Sequence, residues 1–379
     1  MTEQLAVIKQ IPSKTVTTIR RVFTKEFFKQ NRILIIILIL LCLYPIAPML
    51  SGMDYFIYIG VIANIFAIIA IAWDINGGYT GQGNLAPGFF AGITGYTSAI
   101  LTTQAGWPIF AAVLLGIFFS FLSAVAIGFP SLRISGPYLL IVTFAVAEVA
   151  RRLTIYFSAI TKGEEGIGGV PRIFEGAFVN FYWTLLVLLM VYLVSKQIMR
   201  SKWGLAFKAI AADETRAMTL GISLRRYKLV SFSICGIIAG LGGGLYVHYN
   251  AHIDPGFFGI ILAITIISMA VIGGEKTLLG PILGAYLLQF SLEGLRFVVG
   301  SAPWLRLSLH GLLLVVVMLY LPGGILSIFR AENADESGET IATRVKARLH
   351  KIFFVDAEPD ASGTEESSDE ETPSQAANQ

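Results

Sequence analysis

Charge is scarce in this chain: of 379 residues only 14% are Asp, Glu, Lys or Arg, where soluble chains carry roughly a quarter. A water-soluble globule is excluded. Cysteine is nearly absent, and Cys42 and Cys235 each sit within an apolar run, so both read as small core hydrophobes rather than a disulfide or a metal pair. Of the four histidines, His248 and His252 stand four apart near Asp254. A closed metal site needs more ligands than that, and the pair reads as interfacial, along with Tyr246 and Tyr249. There is no Gly-x-x-x-x-Gly-Lys-Ser/Thr phosphate loop. The nearest string, Gly273-Gly274-Glu275-Lys276-Thr277, has the wrong spacing, so the chain is not expected to hydrolyse ATP itself. No nucleophile with its base is in view either. No enzymatic activity, cofactor or metal is expected. A cleaved signal peptide is not expected, because the first apolar block begins after thirty-two residues with no small-residue cleavage site behind it.

Apolar residues, 55% of the chain, come in long blocks. Ile33 to Leu50, Tyr55 to Trp73, Trp107 to Phe129, Val179 to Val194, Leu229 to Val247, Phe257 to Ile272 and Leu307 to Phe329 are nearly charge-free and close to the ~20 residues a hydrocarbon core demands. An alternating barrel pattern is missing from runs such as Ile33 to Leu43. Three weaker segments, Leu85 to Leu101, Tyr138 to Phe157 and Leu278 to Phe297, raise the total to ten transmembrane or partly spanning helices. The Gly-rich Leu85 to Leu101 is the weakest and also reads as a half-crossing loop. The expected fold is an all-α polytopic membrane protein.

The charges orient it. With both termini cytoplasmic, 22 of the 28 bases fall on the inside, and the outer loops 51–54 and 249–256 carry none. Residues 331–379 hold 12 of the 25 acids and 4 of the 28 bases, leaving 24 bases against 13 acids on the rest. Such a surplus serves orientation and anionic lipid heads, and nucleic acid is not an expected partner. The chain divides into a cytoplasmic amphipathic segment, 1–32, a membrane domain, 33–330, and a cytoplasmic acidic tail, 331–379. In the first, Val16, Ile19, Phe23 and Phe27 oppose Arg20, Arg21, Lys25 and Lys29, either as an interfacial helix or as a basic leader. The tail opens with a short amphipathic helix around Ile341 to Ile352; after Asp356 its composition predicts disorder.

Ionisable groups at membrane depth cost roughly 2.5–3.5 kcal/mol each at a helix centre unless paired or facing water. Glu148 reads either as a group on a translocation path or as an ion pair with Arg151 and Arg152 on its own helix; Glu293 and Arg296 repeat the spacing. Asp74 precedes Asn76-Gly77-Gly78-Tyr79-Thr80-Gly81-Gln82-Gly83-Asn84, too polar for lipid. That stretch reads as a broken helix beside a route or as a cytoplasmic loop. The string Pro87-Gly88-Phe89-Phe90 returns as Pro255-Gly256-Phe257-Phe258. It is a chance match or the trace of a duplication, and a duplication would place both near a central path in a two-repeat transporter. Candidate pathway residues are Asn76, Gly81, Asn84, Pro87 and Glu148.

The longest loop between spans, residues 200–228, is basic but rich in alanine. Ala206, Ala209, Ile210, Asp213 and Ala217 would line one side of a short helix ended by Gly221. The compact helix suits docking into another protein's groove; a basic loop on lipid heads is the alternative.

Leu132-Arg133-Ile134-Ser135-Gly136-Pro137-Tyr138 through Phe144, then Glu148, then Thr161-Lys162-Gly163-Glu164-Glu165-Gly166-Ile167, is similar to the LivM-type permeases of branched-chain amino acid ABC importers. The loop from Trp203-Gly204 to Gly221-Ile222, Ala239 to Gly243, Val271 to Gly274 with Gly280-Pro281, and Pro322 to Ile325 follow in the same order. The resemblance covers roughly residues 55 to 330. It implies an inner-membrane permease paired with a second permease, two cytoplasmic ATPases and a periplasmic or extracellular binding protein. It also makes the 200–228 loop the ATPase coupling element, with Ala206, Ala209, Ala212, Asp213, Glu214, Ala217 and Gly221 as its residues. Transport would be inward alternating access of a small polar solute, a branched-chain or related amino acid first. Pro137 stands where the family commonly has an acid, and Leu85-Ala86-Pro87 where it has a Leu-Gly-His-like string, so urea, short amides or another small solute stay open. A self-sufficient carrier or channel is the rival of another class.

Overall fold

The computed structural model describes residues 32–46, 48, 54–131, 136–299 and scattered positions from 305 to 326. The N-terminal amphipathic segment, the string 132–135, most of the 307–329 span and the acidic tail lie outside the described residues.

Helix α1 covers Arg32–Leu43. Helix α2, Asp54–Trp73, continues through a wider π-turn at Asp74–Tyr79. Then come α3 (Pro87–Thr103), α4 (Ile109–Ser131), α5 (Pro137–Tyr156) and α6 (Ala177–Arg200). Two short helices follow, α7 (Lys202–Ala212) and α8 (Glu214–Thr219). Helix α9, Leu224–Asn250, leads to a 3-10 turn at Pro255–Phe258, α10 (Ile260–Gly273) and α11 (Gly280–Val299). The described strands are β1 (Ile167–Gly168) and β2 (His252–Ile253), paired antiparallel. Among the described residues, four helices are long and apolar enough to cross a membrane: Tyr55–Tyr79, Ile109–Pro130, Ala177–Arg200 and Leu224–Asn250. The Leu85 to Leu101 segment falls on α3, a helix of 17 residues, and Pro87 starts it where a missing N–H costs nothing.

Helix α2 is the centre of the core: from Val61 to Ala72 nearly every side chain is buried. Lipid supplies no hydrophobic drive between helices, so close backbone approach and interhelical hydrogen bonds must hold them together. Both devices are present. A Cβ on Gly243 would stand 2.0 Å from the Ala91 carbonyl oxygen, and one on Gly240 would stand 2.6 Å from Thr94 Oγ1. Alanine at either position would force α9 away from α3. The Asn64 carboxamide joins three helices, donating to Thr184 on α6 at 3.2 Å and accepting from the Tyr286 hydroxyl on α11 at 2.6 Å.

Hydrogen bonds define the two ends. Tyr55, at the start of α2, donates to Glu293, and Tyr58 donates to Asn250 at 3.2 Å. At the other end of α2, Asp74 meets the loop before α11, and Thr80 meets Ser231 near the start of α9. Helices α2 and α9 are therefore antiparallel. Two expectations need correction. Cys235 is buried but Cys42 is exposed on α1. His248 is fully buried, with Nδ1 2.8 Å from the Pro171 carbonyl, rather than interfacial, because the chain from β1 to α6 folds over it.

Candidate functional site

The polar stretch after α2 is a buried knot. Asp74, Asn76, Thr80, Gln82 and Asn84 are all under 9% exposed, which demands partners for each. The Asp74 carboxylate accepts from the backbone N–H groups of Lys276 at 2.7 Å and Leu278 at 3.4 Å. Trp73 Nε1 donates to the Asn84 carbonyl at 2.9 Å, and the Asn84 side chain donates to Asn76 Oδ1 at 3.1 Å and to the Gln82 carbonyl at 3.0 Å. Asn84 Oδ1 in turn accepts from Ala86 N–H at 3.1 Å, one residue before α3 begins. Turning the Asn76 carboxamide instead gives up the bond from Asn84 and lets its oxygen accept from Phe232 N–H at 3.0 Å and its nitrogen donate to the Gln82 carbonyl at 2.9 Å. Thr80 shares a 2.8 Å hydrogen bond with Ser231, and Leu85 N–H donates to Thr143 of α5 at 2.9 Å. The knot thus ties α2, α3, α5, α9 and the α10–α11 loop at one end of the molecule. Of the readings weighed from sequence, a solvated loop does not describe this geometry; a helix broken inside protein does.

Gly81 is the knot's exposed point. Its φ of +73° favours glycine, and a Cβ there would come within 3.3 Å of Ala211 Cα on α7. Beside it the Lys208 ammonium lies 5.8 Å from the centroid of the Tyr79 ring, a contact worth about 0.5–1 kcal/mol.

The 200–228 loop forms two helices where the spacing predicts one. Ser201 caps α7 by accepting from Trp203 N–H, and Asp213 breaks the run by capping α8, its Oδ1 accepting from Thr215 N–H at 2.8 Å and Arg216 N–H at 3.0 Å. Gly221, at φ +78°, ends α8 as expected. The alanine face turns inward: Ala206, Phe207, Ile210 and Ala217 are buried and Ala209 is half-buried, while Ala212 is exposed. Glu214 pairs with the buried Lys228 ammonium at 2.7 Å. Asp213 and Glu214 are therefore engaged within the chain, and the large apolar residues that face outward are Trp203, Leu205, Met218 and Leu220.

The repeated strings meet each other. Pro87 and Pro255 are buried, the Phe257 carbonyl lies 3.1 Å from where a Cβ on Gly88 would stand, and the Phe89 and Phe258 rings are 6.1 Å apart. Phe258 also stacks on Tyr96 at 5.6 Å. Glu148 stands apart from this assembly, half-buried on α5, with Arg151 at 2.8 Å and Arg152 at 2.7 Å. Sequence reading passed over Trp73, Thr143, Ser231 and Lys228, which complete the knot, Lys228 through its carbonyl, which accepts from Gln82 Nε2 at 3.4 Å. Lys228 carried a signal, since its charge falls only four residues into a helix that must enter lipid.

A family model described as "Branched-chain amino acid transport system / permease component" matches residues 55–318, and the chain belongs to that family. Its relatives include the high-affinity branched-chain amino acid transport system permease protein LivM of Salmonella typhimurium, 28% identical over 82% of this chain and 78% of that protein. The LivH permease of the corresponding Escherichia coli system is 26% identical over 75% of this chain and 96% of its own length. An autoinducer 2 import system permease, LsrD of Klebsiella pneumoniae, is 25% identical over 70% and 80%. No solved structure matches. The chain is a multi-pass membrane permease subunit of an ABC importer, not an enzyme.

Proposed function

We propose that this permease moves a branched-chain or related amino acid inward by alternating access. Its partners are a second permease, two cytoplasmic ATPases and an extracellular or periplasmic binding protein, in the cytoplasmic membrane of a bacterium or archaeon. Both termini are cytoplasmic and the chain has about ten transmembrane or partly spanning helices; the charge distribution supports this, since Lys208, Lys228 and Lys276 share the end that carries α7 and α8. The helix pair α7–α8 is the ATPase coupling element. One observation carries the reading: α7 rests on the knot, with Ala211 against Gly81 and Lys208 against Tyr79. A push delivered to α7 reaches the π-turn of α2, and through Asn84 and Ala86 the first turn of α3.

The antiparallel α2 and α9 each lead through a link to Pro-Gly-Phe-Phe and a shorter helix, which supports an inverted duplication. The contact between the two strings is then the hinge region beside the path, and the knot residues Asn76, Gly81 and Asn84 move with it. Ala212→Trp tests the coupling role, because Ala212 is exposed; a Trp at the buried Ala217 would instead test folding. In vesicles holding the complete importer, Ala212→Trp is expected to separate ATP hydrolysis from uptake. Wild-type coupling would move the docking surface elsewhere. The substrate is tested in the same vesicles by competing labelled leucine against valine, urea and acetamide, and competition by urea or acetamide alone would overturn the amino acid.

A further inference from the structure

Helices α1, α6 and α11 do not close fully on one another. A narrow groove runs between them, lined by Ile37 and Leu41 of α1, Leu185, Leu189 and Tyr192 of α6 and Ile282 of α11, and every lining residue is aliphatic except Tyr192. One end is shut: the Tyr44 ring packs against Phe181 at 5.6 Å and Phe290 at 5.7 Å, and Tyr182 donates to the Cys42 carbonyl at 2.9 Å. Those contacts make α1 antiparallel to α6, so the other end lies toward the starts of α1 and α11 and the last turn of α6.

There the α6 stripe changes character. Leu185, Leu189, Tyr192 and Lys196 recur at four, three and four residues, so Lys196 continues the groove-facing stripe. Its ammonium lies 5.5 Å from the centroid of the Tyr192 ring, which places a cation at the groove's mouth. Arg200 stands one turn further and Lys202 follows, both exposed, and among the described residues neither is paired with a carboxylate. The acid on the facing α10–α11 loop, Glu275, is matched by Lys276 at 3.3 Å. Apolar space stays dry, and a gap without partner atoms forfeits the dispersion contacts that hydrocarbon would supply. A groove that is apolar along its length and cationic at its mouth matches one kind of bilayer molecule.

We propose that the groove holds one acyl chain of an anionic phospholipid, with its phosphate at Lys196 and Arg200. From Leu185 to Lys196 the stripe runs about 16 Å along α6, so the chain lies lengthwise with its headgroup at the interface. Basic sites between membrane helices recognise such headgroups through charge-assisted hydrogen bonds to the phosphate. A zwitterionic lipid brings its own cation to the same mouth and binds less tightly. Arg200 ends α6 one residue before Ser201 caps α7, so the headgroup stands at the entry to the α7–α8 pair. The site depends on neither the transported solute nor the coupling role; only its assignment to the cytoplasmic leaflet rests on the orientation proposed above.

The test is native mass spectrometry of the full permease, alone and in the complete importer, titrated with dioleoylphosphatidylglycerol or dioleoylphosphatidylcholine. Saturable binding of one phosphatidylglycerol per chain is expected, at least tenfold tighter than phosphatidylcholine. Lys196→Gln with Arg200→Gln should weaken phosphatidylglycerol at least tenfold and leave phosphatidylcholine unchanged, and Leu189→Trp, which fills the groove, should weaken phosphatidylglycerol as much. Arg225→Gln with Arg226→Gln removes two exposed bases from the start of α9 and should change nothing. Equal affinity for the two lipids, undiminished phosphatidylglycerol binding in the Lys196 and Arg200 variant, or an equal loss in the Arg225 and Arg226 variant overturns the site. Binding to the permease alone that disappears in the complete importer gives the groove to a partner subunit and overturns it as well. If the Lys196 and Arg200 variant unfolds, Leu189→Trp decides.

Discussion

Asp74 holds the knot to the α10–α11 loop, and removing it has a calculable cost. Its carboxylate is fully buried and accepts two backbone N–H groups 202 and 204 residues away in sequence. Asp74→Ala strands both donors. Each buried, unpaired N–H costs about 1–3 kcal/mol, and the 3.4 Å contact lies toward the lower end, so the loss is about 2–4 kcal/mol. Asp74→Asn keeps one acceptor for the shorter bond and turns an amide N–H toward Leu278, costing roughly half as much. The neighbouring Gly78 supplies a control: a Cβ there would stand 2.2 Å from Asp74 Oδ1, so Gly78→Ala destabilises the wild type and much less the Asp74→Ala background. Thermal unfolding of the purified permease in a mild detergent, followed by tryptophan fluorescence, measures all four variants against the wild type. Additive losses, or a wild-type melting point for Asp74→Ala, would refute the clamp.

Gly243→Val should abolish accumulation of folded protein in the membrane, because side-chain carbon cannot enter where the Ala91 carbonyl already stands 2.0 Å away; normal yield by size-exclusion chromatography would contradict the close packing. Glu214→Gln leaves the Lys228 ammonium, 5% exposed, without its carboxylate. It should cost about 1–3 kcal/mol, Glu214 being itself half-exposed, and Lys228→Met should restore most of it; a melting series of the single and double variants checks this. Leu205→Asp and Leu220→Asp alter exposed residues, so both should leave melting unchanged while lowering the affinity of the ATPase for permease vesicles at least tenfold; intact co-sedimentation would remove them from the docking face.

The helices were readable because lipid imposes a simple rule: long uncharged runs such as Tyr55 to Trp73 and Leu229 to Val247 have one use. The knot was half legible. Its polar, glycine-rich composition marked it as special, but its partners Thr143, Ser231 and Lys276 are 58 to 202 residues away, and no local pattern announces a long-range hydrogen bond. The repetition of Pro-Gly-Phe-Phe was legible, but the direct contact of the two strings was not, because a repeat carries no statement of which copies touch. The loop between α6 and α9 was misjudged in detail because small residues suit a partner's surface and the chain's own core equally well. Asp213 is a good N-cap and split the helix, turning Ala206 and Ala217 inward. For Glu148, the i+3 and i+4 spacing to Arg151 and Arg152 was enough to foresee the pairing the structure contains.

The central claim is that motion enters through α7 and passes to the membrane helices where Ala211 touches Gly81. The most direct measurement is the ATP hydrolysed per solute delivered in vesicles carrying the complete importer with Ala211→Trp, whose indole would wedge the two apart. The account predicts near-normal hydrolysis with uptake reduced at least tenfold. A wild-type ratio, with hydrolysis and uptake both intact, would contradict it.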